Sequence, residues 1–288
     1  MKERTPEQLK GQIRSFAIKR NLRPQEVLQM FLLERVLERL ANSEYSEAFI
    51  LKGGMLISSM LGIEERTTMD MDTTVTGIDM DEADIKRIIN EILNIDVGDG
   101  IRFEFIKTEP IREVDDYNSF RAYFIAHYGR IANEMKIDIT TGDVITPCAV
   151  DYSYRTILDG DEILVKAYNK ETTIAEKYET IIRRNIGNTR ARDFYDLYMF
   201  FNLYKNVIDY NILKLAIKRT SKKRESEKEL AEWSDIYQEM KTDASLRNLW
   251  DNYISNNLYA HGLAYDTALD VIECKICLNG LCVSVQTV

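Results

Sequence analysis

No apolar run in this sequence approaches the ~18–20 residues that a helix needs to cross a bilayer, which excludes a helical membrane span. The N-terminus, Met1-Lys2-Glu3-Arg4-Thr5-Pro6-Glu7, lacks the apolar core of a signal peptide. The expectation is a cytoplasmic protein that does not act on a membrane. Cysteine is scarce too. Four of them (Cys148, Cys274, Cys277 and Cys282) in 288 residues are too few for a disulfide scaffold. The Cys-x-x-Cys at Cys274 and Cys277 has no second pair to complete a zinc site, and neither histidine is near it, so small buried hydrophobes are the better reading. Positive charge is in deficit: 38 Lys+Arg against 47 Asp+Glu leave a net −9, which argues against a generic nucleic-acid coat. Internal repeats and low-complexity tracts are absent.

What is there is a globular composition, 45 % hydrophobic and 30 % charged, long enough for one large domain or two smaller ones. Charge is unevenly spread. Residues 166–224 hold 14 Lys+Arg against 6 Asp+Glu, a surplus of +8, so the remainder carries −17. Such a segment suits a localised polyanion contact, or a solvated helix face. Apolar spacing predicts two helices within residues 5–42, broken at Asn21-Leu22-Arg23-Pro24. A buried strand, Ala48–Leu51, follows, then a helix over Met55–Leu61 and a strand over Met69–Val75. Asp81 to Asp84 open a helix whose stripe is Ile85, Ile88, Ile89, Ile92 and Leu93. Further strands are expected at Arg102–Lys107, Ser119–Tyr128, Asn133–Thr140 and Glu162–Ala167, with turn residues at 115–118. Beyond about residue 170 the pattern turns helical: 171–185, 189–204, 210–220, 225–241 and 244–257, with 220–224 as the most exposed connector. Leu278-Asn279-Gly280-Leu281 signals a terminal hairpin that sets Cys277 across from Cys282. A mixed α/β half is thus followed by a helical half.

The chemistry concentrates at Lys52-Gly53-Gly54 and at Asp70-Met71-Asp72. If the aspartates lie on a strand, both carboxylates leave one face, as a divalent metal requires. A Gly-Gly turn opening a helix presents bare N–H groups to a phosphate. Arg66 and Thr67-Thr68 add donors upstream. Asp-x-Asp alone is weak, but Met135-Lys136-Ile137-Asp138-Ile139-Thr140 alternates and places Lys136 and Asp138 side by side. Three carboxylates beside a glycine turn suit two magnesium ions and a triphosphate, with Asp138 bridging the metal or activating the nucleophile. The bland reading of Asp138 is a surface residue paired with Lys136. On the later helix Lys177 is able to reach a triphosphate as a point charge, although i, i+4 surface patterning explains Glu176, Lys177, Arg183 and Arg184 equally well. Asp193 is either a first-turn acid or part of a site, since Arg192, Asp193 and Asp196 lie among aromatics.

These pieces, in this order, resemble the AbiEii/AbiGii family of toxin nucleotidyltransferases. Leu51-Lys52-Gly53-Gly54, Arg66-Thr67-Thr68-Met69-Asp70-Met71-Asp72, Lys136-Ile137-Asp138-Ile139 with Gly142-Asp143, Ala175-Glu176-Lys177 and Arg192-Asp193-Phe194-Tyr195-Asp196-Leu197-Tyr198 each match a family motif. The resemblance covers nearly the whole chain to about residue 205. It implies an α+β fold: a polymerase-β-like nucleotidyltransferase domain with a mixed sheet and N-terminal helices (1–168), followed by a helical C-terminal domain with a short terminal hairpin (169–288). It implies Asp70, Asp72 and Asp138 as metal carboxylates for Mg2+, and Lys177 as the group that binds or neutralises the triphosphate of an NTP. Asp193 supports the site, and Lys52, Gly53, Gly54, Arg66, Thr68 and Lys136 complete nucleotide binding. It further implies the toxin of a phage-defence toxin–antitoxin pair that transfers NMP to an acceptor such as the tRNA 3′ end. The partner antitoxin is of the winged-helix repressor type, and the acceptor RNA lies on the basic segment at Arg183, Arg184, Lys218, Lys222 and Lys223. Asp72 is followed by Thr73-Thr74 where an apolar residue is commoner, which implies a change in strand packing with little effect on the carboxylates. Two rivals stand beside this reading: a metal-dependent nuclease using the same acids, and an NTP-binding module without turnover.

Overall fold

Every second residue from Phe120 to Ala126 and from Ile131 to Ile139 is buried, the pattern of strands with one face on a core. A computed structural model describes residues 4–78, 81–111 and 119–273. The turn expected at 115–118 and the terminal hairpin with its cysteines lie outside them. The chain divides into two compact units, Met1–Asp143 with Ala149–Tyr168, and Val144–Cys148 with Asn169–Val288.

The first unit holds α1 (Pro6–Arg20), α2 (Pro24–Ala41), β1 (Phe49–Lys52), α3 (Gly53–Leu61), β2 (Met71–Val75), α4 (Glu82–Leu93), β3 (Arg102–Pro110), β4 (Phe120–Tyr128), β5 (Ile131–Thr141), β6 (Val150–Arg155) and β7 (Glu162–Ala167). The strands form one mixed sheet in the order β3-β4-β5-β2-β1-β7-β6. β2 runs parallel to β5 and β1 parallel to β7, while the remaining neighbours are antiparallel. One face of the central strands is apolar: Ala122, Ile137 and Met71 stand in one row, and Phe120 and Ile139 in another. α4 packs on β3 and β4, and its five expected apolar residues are all buried. Asp81 caps that helix by accepting from the Asp84 N–H at 2.8 Å.

The structure departs from expectation in places. Asp70 precedes β2 instead of lying on it. The glycines belong to the first turn of α3 and do not merely precede it. β6, unforeseen, is an edge strand with Asp151, Ser153 and Arg155 exposed, so it carries little apolar signal.

The second unit is helical: α5 (Lys170–Arg184), α6 (Ala191–Tyr204), α7 (Tyr210–Lys223), α8 (Glu227–Ala231), α9 (Trp233–Thr242), α10 (Ala244–Asn256) and α11 (Tyr265–Val271). Asn169, Asp209 and Asp243 cap α5, α7 and α10 through their side chains. The expected helix over 225–241 is two helices parted at Glu232, and α11 was not foreseen. The exposed connector at 220–224 is corrected. α7 runs through Lys223, Thr220 and Ser221 are buried, and Arg224 is tied to Glu179 at 2.7 Å. Thr180 and Ser226 also meet this buried acid or its partner, so the segment is clamped to α5.

Candidate active site

The face of the sheet opposite the apolar rows carries charge. Lys52 on β1 stands opposite Asp72 on β2, Asp72 opposite Asp138 on β5, and Asp138 opposite Arg121 on β4. Four strands therefore bring a cation, two acids and a second cation into one transverse row. The alternation of each strand puts those side chains on the same face.

Asp72 lies at the N-terminus of α3 and accepts a hydrogen bond from the Gly54 N–H at 3.0 Å. An anion there is favoured by the helix dipole. The two glycines admit it. Gly53 has φ +64°, and a Cβ on it would overlap the Asp72 carboxylate. A Cβ on Gly54 would overlap the Thr68 hydroxyl, with Arg66 Nη2 3.6 Å away. The expectation that the turn's N–H groups face a phosphate is thus modified, because the Gly54 N–H is directed at Asp72. Burial pushes the Asp72 carboxyl up from its usual range, and the negative charges of Asp138 and Asp70 add to this. The Gly54 hydrogen bond and Lys52 oppose it.

The other acids are each held by a cation. Asp70 meets Lys136 at 3.3 Å. Asp138 is gripped by Arg121, whose Nε donates to Oδ1 at 2.6 Å and Nη2 to Oδ2 at 2.7 Å. The bland pairing of Asp138 with Lys136 is therefore corrected, since the two share a face but Lys136 serves Asp70. Lys52 donates to Asp143, which also accepts from the Thr140 hydroxyl at 2.6 Å. Behind the acids, Gln29 of α2 donates to the Met69 carbonyl at 2.9 Å and accepts from Asn133 of β5 at 2.6 Å, fixing the segment that delivers Asp70. Thr73 and Thr74 are buried and donate to the carbonyls of Asp138 and Thr140, so the polar pair on β2 is satisfied along β5.

Among the described residues no three acid, histidine or cysteine side chains converge as a ready metal cage. The donor set nevertheless fits a divalent hard cation. It offers three carboxylates, two of them directly opposite in register and one pushed toward protonation by burial first and by the other two acids in addition, a repulsion that a cation relieves.

In the second unit Lys177 is no ordinary surface lysine. Its ammonium lies 2.6 Å from Asp193 and 2.7 Å from Asp196, both buried, and Arg190 reaches Asp193 at 2.8 Å. Of the basic residues, Arg184, Lys218 and Lys222 are exposed, Lys223 is half-buried, and Arg183 pairs with Glu179 at 2.8 Å. Sequence reasoning gave no role to Arg121, Asp143 or Asp196. Asp143 and Asp196 sit inside quoted motifs, and Arg121 is a lone charge in the apolar strand Phe120-Arg121-Ala122-Tyr123-Phe124.

A sequence model described as "Nucleotidyl transferase AbiEii toxin, Type IV TA system" matches residues 35–271. The chain belongs to the AbiEii toxin family. It is accordingly a nucleotidyltransferase and a toxin, and the family implies an NTP substrate and an antitoxin partner. A search of curated proteins gave no match. The fold is similar to that of MenT4, a nucleotidyltransferase toxin of Mycobacterium tuberculosis. That structure shares 14 % identity with this chain at a TM-score of 0.54, with 96 % of this chain and 98 % of that one covered. JHP933 of Helicobacter pylori is 15 % identical, with 90 % of this chain and 99 % of that one covered and a TM-score of 0.45. The α+β architecture expected for an AbiEii nucleotidyltransferase, with a mixed sheet, N-terminal helices and helices after it, is the one observed. Among the described residues, no helix is long and apolar enough to cross a membrane.

Proposed function

We propose that this AbiEii toxin transfers a nucleoside monophosphate from an NTP to the 3′ end of an RNA, with tRNA as the acceptor, and so blocks translation as part of phage defence. The acceptor hydroxyl attacks the α-phosphate, the α–β phosphoanhydride bond breaks, and pyrophosphate leaves. The observation that carries this reading is the in-register pair Asp72–Asp138, with Asp72 seated on the glycine turn. Asp70, Asp72 and Asp138 would hold Mg2+, which supplies charge neutralisation and alignment at the α-phosphate. Lys52, Gly53, Gly54, Arg66, Thr68 and Lys136 contact the nucleotide. Lys177 neutralises triphosphate charge, and Asp193 holds that lysine in place. The antitoxin is of the winged-helix repressor type, and exposed Arg184, Lys218 and Lys222, with Arg183 and Lys223, provide the RNA contact.

The test is incubation with radiolabelled NTP and tRNA. Label joining the RNA supports transfer. RNA shortening without label would identify a nuclease, and NTP binding without pyrophosphate release a non-catalytic module. Asp72→Ala and Lys177→Ala are each expected to lower transfer at least ~100-fold with unchanged circular dichroism. Wild-type rates in either variant would remove that residue from the site.

A further inference from the structure

Arg121 has no part in the proposed chemistry, yet it engages both oxygens of the third acid. Each oxygen of Asp138 accepts from its guanidinium, a planar two-point grip that is among the strongest pairings a carboxylate makes. A divalent cation at Asp138 would draw on one of those same oxygens, against the repulsion of the guanidinium charge beside them. We propose that Arg121 is a built-in competitor of the divalent cation, holding Asp138 in the metal-free protein and setting how tightly the site takes its metal. This rests on the reading of Asp70, Asp72 and Asp138 as metal carboxylates.

The register supports the exchange. Asp72 and Asp138 face each other across the β2–β5 ladder, and like charges so placed repel. Either a cation or the guanidinium relieves that repulsion, so the two occupants substitute for one another. The displaced group also has somewhere to go. Glu109 on β3 stands directly opposite Arg121 on β4, close enough for a long side chain to reach. Arg121 is about one-third exposed, so its side chain lies at the edge of the sheet's covered face and not in the core. Lys136 holds Asp70 differently, by one ammonium at 3.3 Å, a single-point contact that yields more readily. Of these two cations, Arg121 is therefore the one whose removal raises cation affinity more.

The experiment is Mn2+ titration of the full chain without nucleotide, followed by calorimetry or by the electron paramagnetic resonance of the free ion. Arg121→Gln is expected to bind Mn2+ roughly tenfold more tightly than wild type, equivalent to about 1.4 kcal/mol. Arg121→Lys, which keeps the charge but loses the two-point grip, should fall between them and guards against a folding defect in the glutamine variant. If both variants bind no more tightly than wild type while Asp72→Asn abolishes wild-type binding, the competitor role is overturned and the metal reading stands. If no form binds Mn2+, both fall.

Discussion

Gly53 is where one missing methyl group decides the position of the Asp72 carboxylate. Its φ of +64° is costly for any other residue, and the space a Cβ needs is filled by the Asp72 carboxylate. Gly53→Ala is expected to cost about 1–2 kcal/mol of stability while lowering transfer far more than that loss explains. Urea unfolding beside the labelled-NTP assay separates the two effects. A second residue reports on pH. Glu34 of α2 is fully buried and accepts from the Ile157 N–H at 2.8 Å and from the Tyr154 hydroxyl at 3.3 Å. Burial raises its carboxyl from 4.5 to about 8. The folded protein therefore binds a proton there that the unfolded chain releases above about pH 4.5. Stability from this group is complete below that pH, declines as pH rises, and is gone above about pH 8. Glu34→Gln should flatten this dependence. Relative to wild type it should gain on the order of 3–5 kcal/mol between pH 4.5 and pH 8.5, read from unfolding curves across the range. Equal pH slopes in both proteins would show that Glu34 is ionised in the fold.

Helix α5 shows how one buried acid organises an element. Glu179 accepts from Arg183 at 2.8 Å, from Arg224 at 2.7 Å and from Ser226 at 2.8 Å, which ties α5 to the end of α7 and the start of α8. Glu179→Ala takes this buried anion from Arg183 and from Arg224, which keeps Glu176 at 3.3 Å, and is expected to destabilise by about 3–5 kcal/mol, with Glu179→Gln losing less. Thermal unfolding of both variants checks this. The same cluster explains why the 220–224 run misleads as sequence. Thr-Ser-Lys-Lys-Arg reads as an exposed linker, and the distant Glu179 makes it the clamped end of a helix. Strands β4 and β5 were legible from their apolar content and the turn residues that bound them, although their alternation in sequence is uneven. β6 was not, because an edge strand shows polar residues to water on half its length. Asp70, Asp72 and Asp138 were visible from short spacings within single motifs. Arg121 was hidden because its significance depends on the register set by the two-residue turn between Tyr128 and Ile131. A chain read one residue at a time does not display that register.

At the scale of the molecule, charge is segregated: +8 over residues 166–224 against −17 elsewhere. Lys222→Glu with Lys223→Glu should weaken tRNA binding several-fold and flatten its dependence on salt by about 1–2 in log–log slope, with little change in NTP affinity. Filter binding across a salt series measures this, and an unchanged slope would take RNA off the basic segment. The order of assembly carries a different consequence. Asp72 and Asp138 become neighbours only through the parallel pairing of β2 with β5, and α4, β3 and β4 come between them in the chain. A ribosome adding ~5–20 residues per second finishes β5 roughly 3–13 s after β2. β1 waits longer still for its parallel neighbour β7. A half-made copy of this toxin therefore holds its first acids but has no paired site. The cell that synthesises it has an interval, measured in seconds, in which the poison is present but unarmed.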